Sequence, residues 1–411
     1  MLRPALAALA SAAAVVPLLV AGPLTPGQAG TYDTGRVTKV VDGDTVIVDH
    51  RAVVRLIGID TPEHGQCGYD AATRALRRLV GGEQVVLRSD TGRSGLRGRP
   101  ERRVLVKSGG QQVDATTWLL ERGMGVWMPR KGEVTNSKAH HRAADLAAAA
   151  DTGWFDEDRC GAGPGPEGAL QMTVQWNADA TKALSDAQRR NEEFIRIRNV
   201  STVPVDIDGW TLRVGNDRSR KVPAGGAIPP GGTVTVHVGY GTNTFTDRYL
   251  GSSAPMLQNA DQSGRRHLGA GAYLVDPRGD MRAYMTWPCV VGCTDPTGGA
   301  VHISEVLVDP GGPLNGEYVA ITNSGPSQVR SGDLVVEIWP WVYELPSDHV
   351  LDPGETVVIH GGSGRNERLR RFLGAVNPPL RTLGGQVVLR TYDAILLDCH
   401  RWGGGRCPTY G

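Results

Sequence analysis

Two short stretches hold the residues best able to do chemistry: Asp42-Gly43-Asp44-Thr45, and Arg55-Leu56-Ile57-Gly58-Ile59-Asp60-Thr61-Pro62-Glu63. Asp44, Asp60 and the Thr61 carbonyl offer hard oxygens with no thiolate or imidazole among them, an inventory that suits Ca²⁺ rather than zinc or copper. Arg55 adds a planar guanidinium matched to a phosphate, and Glu63 adds a carboxylate just beyond the proposed metal ligands. A cation, a phosphate clamp and a base make a hydrolytic site for phosphodiesters. An isolated Asp-Gly-Asp would be read as a hairpin turn with a surface ion pair; the two stretches together favour the site.

The elements that must position these residues are β-type. Val37, Val40 and Val41 precede Asp42-Gly43, and Val46, Ile47 and Val48 follow, so a hairpin is expected, with Gly43 supplying a positive φ and Asp44 opening the second strand. A third apolar run, Val53 to Ile59, ends at Asp60-Thr61-Pro62, where proline removes a ladder donor. The two aspartates then lie at adjacent strand ends. Strict alternation sends Arg55 and Asp60 to opposite faces, so a shared site requires a bend, expected at Gly58. Downstream, the pattern predicts a helix from Tyr69 to Val80 closed by Gly81-Gly82, and strands from Val85 to Arg88 and Arg103 to Val106. Helices follow from Val113 to Arg122 and from Ser137 to Ala150. Five strands and helices in this order fit a small OB-fold barrel, whose strand face and loops commonly receive nucleic acid.

The pair DGDT and RLxGIDTPE resembles the staphylococcal nuclease (thermonuclease) family, over about residues 35 to 160. The resemblance implies that Asp44, Asp60 and the Thr61 carbonyl are calcium ligands, and that Arg55 and Glu63 are the first catalytic arginine and the catalytic glutamate. The family's second catalytic arginine follows a Tyr-Gly pair. Here the segment reads Leu96-Arg97-Gly98-Arg99-Pro100-Glu101-Arg102-Arg103, so Arg99 matches by its preceding glycine and its spacing to the strand, with Arg97 and Arg102 as alternatives. The implied activity is endonucleolytic hydrolysis of DNA and RNA, favouring single strands and leaving 3′-phosphates. Trp127 lies near where the family places base-stacking aromatics and equally fits a buried core.

A formal net charge of +1 gives no global affinity for polyanions. Locally, Arg88, Arg93, Arg97, Arg99, Arg102, Arg103 and Lys107 are opposed only by Asp90 and Glu101, a basic segment suited to guiding a polyanion in a salt-dependent way. Arg3, the apolar run from Ala5 to Val20 and the segment ending Gly27-Gln28-Ala29 predict a secretory signal over residues 1–29. That run is shorter than the roughly 20 residues a membrane span needs, so a secreted, extracellular chain is expected. Export favours disulfides for the six cysteines, expected as Cys67 with Cys160, Cys289 with Cys293 and Cys399 with Cys407. It disfavours a zinc corner of His64 and Cys67 completed by His140 and His141.

Gly161-Ala162-Gly163-Pro164-Gly165-Pro166-Glu167-Gly168 reads as a linker. Beyond it, short alternating strands with Gly/Pro/Asn turns indicate β-sandwiches. Asn191 to Asn199 (NEEFIRIRN) matches Asn315 to Asn323 (NGEYVAITN) at an offset of 124 residues, and Pro230-Gly231 matches Pro353-Gly354 at 123, so the domain is duplicated. The first copy, with Gly209-Trp210-Thr211-Leu212, resembles the lamin-tail domain, an immunoglobulin-like sandwich whose implied role is binding or structural. The second has Gly332-Asp333-Leu334 instead. His237 and His360 recur at equivalent positions, which points to packing. The expected molecule is mainly β: signal 1–29, nuclease-like OB-fold barrel 30–160, linker 161–168, and sandwiches 169–294 and 295–411. It is expected to be a secreted calcium-dependent nuclease. The competing readings are a non-catalytic OB-fold nucleic-acid-binding protein, and an envelope-associated chain whose sandwiches contact an extracellular polymer.

Overall fold

The computed structural model describes residues 33–89, 100–130, 135–156, 159, 168–176, 190–191, 193–215, 218–258, 269–308, 311–338, 341–346, 349–380, 382–391 and 395–407. The expected signal segment, Arg97, Arg99, Cys160 and all of the linker but Gly168 lie outside the described residues.

The chain is mainly β, with a closed five-stranded barrel followed by sandwich sheets. In the barrel, β1 (Asp33–Val40) pairs with β2 (Thr45–Val48), and β2 with β3 (Ala52–Leu56). β3 runs parallel to β6 (Glu101–Ser108), β6 pairs with β5 (Gln84–Arg88), and β5 returns to β1, so no barrel edge is left open. A two-residue strand, β4 (Ile59–Asp60), leaves the barrel to pair with β8 (Val126–Trp127), and β7 (Gln111–Asp114) extends β6. Helices α1 (Tyr69–Val80), α2 (Ala115–Leu120) and α3 (Ser137–Ala149) pack outside. α1 turns Ala75, Leu76, Leu79 and Val80 onto Val37, Val46, Val54, Leu56, Val85 and Val104, the apolar interior that alternation along the strands creates.

Three local expectations change, and one, the bend at Gly58, is met. Gly43 is not among the positive-φ residues; a side chain there would come within 2.7 Å of both Thr61 Oγ1 and Ala72 Cβ, so close approach is what demands glycine. Asp44 sits in the turn and β2 begins at Thr45. The third apolar run divides into β3 and β4 at Ile57-Gly58, where Gly58 has a φ of 77°. α2 starts only at Ala115, because Asp114 caps it by accepting from the Thr116 and Thr117 amides.

The first sandwich packs a sheet of β9 (Leu170–Gln175), β10 (Phe194–Asn199), β13 (Thr233–His237) and β14 (Asp247–Tyr249) against one of β11 (Thr211–Val214), β12 (Arg218–Lys221), β15 (Ala270–Val275) and β16 (Met281–Trp287). The second repeats the order. β17 (Val301–Leu307), β18 (Tyr318–Asn323), β23 (Thr356–His360) and β24 (Arg370–Phe372) form one sheet, and β20 (Leu334–Ile338), β21 (Trp341–Glu344), β25 (Gly384–Thr391) and β26 (Leu396–Gly403) the other. β19 (Val329–Arg330) and β22 (Val350–Leu351) form a separate two-stranded ribbon.

The repeated residues do equivalent work. Asn199 Nδ2 donates to the Val203 and Ile228 carbonyls, and Asn323 Nδ2 to those of Ser327 and Leu351. Buried Glu193 accepts from the Met256 and Leu257 amides, and buried Glu317 from that of Leu380. His237 and His360 each bond a carbonyl, Asn191 O and Asn315 O, and stack on Tyr249 and Phe372. Cys289 pairs with Cys293 and Cys399 with Cys407; Cys67 is also disulfide-bonded.

Candidate active site at the barrel–sandwich junction

The strand pairing brings the expected carboxylates and arginine together. Thr45 stands opposite Arg55 across β2 and β3, and the Leu56 amide donates to the Asp44 carbonyl at 2.8 Å, so Asp44 is pinned beside the end of β3. The turn at Gly58 then reverses the parity of the chain and sends Asp60 back to the face that carries Arg55. Arg55 Nη1 donates to Asp44 Oδ1 and Nη2 to Asp60 Oδ1, both at 2.8 Å. Asp44 Oδ1 also accepts from Thr45 Oγ1 at 2.9 Å, and Asp44 Oδ2 from the Thr61 amide and hydroxyl at 3.3 Å. Asp44, Arg55, Asp60 and Thr61 are all buried. Burial pushes the Asp44 carboxyl up to about 7 against the Arg55 guanidinium beside it, and the Asp60 charge adds to the rise.

Glu63 lies at the exposed rim, its amide donating to Gln66 Oε1 at 2.8 Å. Partial desolvation, followed by the Asp60 charge, raises its carboxyl above the ordinary glutamate value. Beside Gln66 opens a cleft of about 450 Å³ whose lining includes His64, Tyr69, Arg74 and Arg159. Arg99, the expected second arginine, and Arg97 lie outside the described residues; Arg102 is half-buried and donates to the Glu101 carbonyl at 2.8 Å. Trp127 belongs to the core, fully buried and stacked on His141 at 3.8 Å, so it is no platform for a base. His140 and His141 are buried on α3, facing Asp114 and Asp145, and among the described residues no cluster of three metal-binding side chains forms.

One residue of the cluster comes from outside the barrel. Arg213, in the middle of β11, reaches across from the first sandwich: its Nη1 donates to Asp60 Oδ2 and, at 3.3 Å, to the Thr61 carbonyl, and its Nη2 donates to Gln66 Oε1 at 2.6 Å. Its cross-strand partner Tyr273, on the same face, donates its hydroxyl to the Trp127 carbonyl at 2.8 Å. Trp154 lies 5.0 Å from the Arg213 guanidinium and donates to the Gly279 carbonyl at 2.7 Å. Val126, Met128, Ala147, Trp154 and Phe155 of the barrel unit share a buried apolar cluster with Tyr273, Val275 and Met281 of the sandwich.

Every oxygen expected to hold calcium is therefore engaged by the protein itself. Asp60 Oδ2 and the Thr61 carbonyl share the Arg213 nitrogen, while Asp44 Oδ1 and Asp60 Oδ1 are taken by Arg55. The donor class suits calcium, which needs six to eight oxygens at about 2.3–2.6 Å, but the corner as arranged does not fit the ion.

The alternation of β11 hid Arg213, since Leu212 and Val214 face the sandwich core and an intervening arginine reads as solvent-facing. The available signal was β15, Ala270-Gly271-Ala272-Tyr273-Leu274-Val275, apolar on both faces and buried throughout, as a strand covered on its outer side must be. No curated protein matches the chain. Residues 177–288 match the family model of the lamin tail domain, so the sandwich that delivers Arg213 is similar to an immunoglobulin-like module of that family.

Proposed function

We propose that the barrel is a secreted phosphodiesterase of the thermonuclease type, hydrolysing DNA and RNA endonucleolytically with single strands favoured. The observation that carries this reading is the convergence of Asp44 from the β1–β2 turn, Arg55 from β3 and Asp60 from β4 on one guanidinium-centred cluster with Glu63 at its rim. In this reading Arg55 binds the scissile phosphate, Arg99 supplies the second guanidinium, with Arg97 or Arg102 as alternatives, and Glu63 takes a proton from the attacking water. The water oxygen bonds to phosphorus as the bond to the 5′-oxygen breaks; the 5′-oxygen takes a proton from solvent and leaves as a hydroxyl, and a 3′-phosphate remains. Arg55 is pre-oriented by both aspartates, so little reorganisation is needed when charge develops on the phosphoryl oxygens. Calcium is the proposed cofactor of the acidic corner, which as arranged does not accommodate the ion. The disulfides Cys289–Cys293 and Cys399–Cys407 and the bonded Cys67 agree with export. The sandwiches serve as binding or structural modules, the second lamin-tail-like by its repeated topology, with an extracellular polymer as the proposed contact.

A second reading has its own support: the cluster is buried and Arg213 closes it, as expected of an ion-pair network that staples two domains in a non-catalytic nucleic-acid-binding or envelope-associated protein. Digestion of single-stranded DNA and RNA by the full chain, in calcium and in chelator and with Glu63→Gln, separates the two. The nuclease reading expects calcium-dependent cleavage lost in the variant. Retention of nucleic acid without cleavage would establish the second reading.

A further inference from the structure

Two guanidiniums engage the acidic corner: Arg55 belongs to the barrel itself and takes Asp44 Oδ1 and Asp60 Oδ1, whereas Arg213 arrives from the first sandwich and takes Asp60 Oδ2 and the Thr61 carbonyl. We propose that Arg213 is a tethered occupant of the cation position: the first sandwich places its guanidinium where the barrel would take a divalent cation, and the cation binds only as Arg213 withdraws. This rests on reading Asp44, Asp60 and Thr61 as a cation site.

The contacts are those of a substitute cation. One nitrogen, Nη1, bonds both Asp60 Oδ2 and the Thr61 carbonyl, the same pair of oxygens a metal would share, and a calcium ion at bonding distance from both would overlap it. Nη2 holds Gln66 Oε1 at 2.6 Å, an oxygen that also accepts from the Glu63 amide at 2.8 Å, so the guanidinium fixes the loop bearing the proposed base. With Arg213 withdrawn, Asp60 Oδ2 and the Thr61 carbonyl would face the space left by Nη1 and Gln66 Oε1 the adjoining space left by Nη2, so Gln66 is the neutral oxygen nearest the cation position.

The fit of the guanidinium is incomplete. Its buried Nε has no hydrogen-bond partner among the described residues, so seating it leaves one desolvated donor unpaired, as suits an occupant that a better cation can displace. The docking that delivers Arg213 is close at Gly279, with a φ of 90°, where a side chain would come within 2.5 Å of Gln66 Cβ and 2.7 Å of the Cys67 nitrogen. A residue larger than glycine there would wedge the sandwich off the barrel while leaving Arg213 and every barrel oxygen intact. Cation binding and undocking of the sandwich are thus linked: each favours the other by the same free energy.

The test is calcium titration of the full chain without nucleic acid, by calorimetry and by melting temperature. Arg213→Met keeps the aliphatic stem and removes the charge, and Gly279→Val opens the docking contact independently. Both are expected to bind one calcium at least about tenfold more tightly than the unsubstituted chain. Arg213→Met should also melt lower in chelator and recover in calcium, and adding Asp60→Asn should abolish the gain. Calcium affinity unchanged in both single variants, or a calcium ion bound as tightly by the unsubstituted chain, would overturn the proposal. Because no substrate is present, the outcome is independent of nuclease activity: tighter calcium binding with no cleavage of any nucleic acid would uphold the occupant and remove the nuclease reading.

Discussion

At the level of single residues, Arg55 serves two buried aspartates at once. Removing it strands both carboxylates in a low-dielectric corner, so Arg55→Ala is expected to cost about 3–5 kcal/mol of stability by urea denaturation. A loss under 1 kcal/mol would mean that the pairs are screened and the cluster is not the fixed unit described. Glu63 at the rim is expected to matter for rate and not for stability: Glu63→Gln should slow hydrolysis by about 10²-fold or more with little change in melting. Its carboxyl is raised by desolvation and by Asp60, and a base works ionised, so the acid limb of kcat/KM should lie above the ordinary glutamate value of 4.5. A limb at or below that value would remove Glu63 from the role. That Asp44, Arg55, Asp60 and Thr61 would meet, with Glu63 just beyond them, was legible from two motifs. Arg213 and Gln66 were not, because nothing local distinguishes an outward strand arginine or a loop glutamine until a second domain covers them.

At the scale of elements, small backbone devices set the geometry. The parity break at Gly58 was legible, since odd spacing between Arg55 and Asp60 demanded it. The role of Gly43 was not, because a glycine required by an approaching Thr61 and Ala72 reads in sequence like one required by a turn. Asp114 shows a similar limit: the apolar pattern from Val113 onward suggested a longer helix, whereas a strand runs to Asp114 and its side chain starts α2. The same carboxylate accepts from Arg103 at 3.0 Å and lies 3.6 Å from His140. Against the burial that would raise it, His140 and Arg103 hold Asp114 down to about 2, from an ordinary 3.8. A depressed carboxylate stabilises the fold above its unfolded value and loses that contribution as pH falls through the folded one. About 2 kcal/mol is therefore expected to disappear between roughly pH 4 and pH 2, and Asp114→Ala should remove this window along with the helix cap. A stability profile whose acid slope is the same in the variant would contradict the assignment.

At the scale of the whole molecule, the modules form a docked series. The barrel holds the first sandwich through Arg213, Tyr273 and Trp154. The second sandwich joins the first through buried Arg390, which bonds Glu337 at 2.6 Å and Gln175 at 3.3 Å and lies 3.9 Å over Trp176. The number of modules and the duplication were legible because repeated Asn, Glu and Pro-Gly positions are bound to a repeated topology. Docking was not, because it depends on pairs such as Asp60 and Arg213 that stand 153 residues apart with no shared pattern. On the proposed nuclease reading, the docked first sandwich restrains the barrel by holding Arg213 in the acidic corner. The most direct measurement is the rate of single-stranded DNA cleavage in calcium by the full chain, by Arg213→Met and by Arg213→Met with Glu63→Gln. The account predicts cleavage by the single variant at or above the rate of the unsubstituted chain, and a drop of about 10²-fold or more when Glu63 is also replaced. Absence of cleavage in all three, or equal cleavage with and without Glu63, would contradict it.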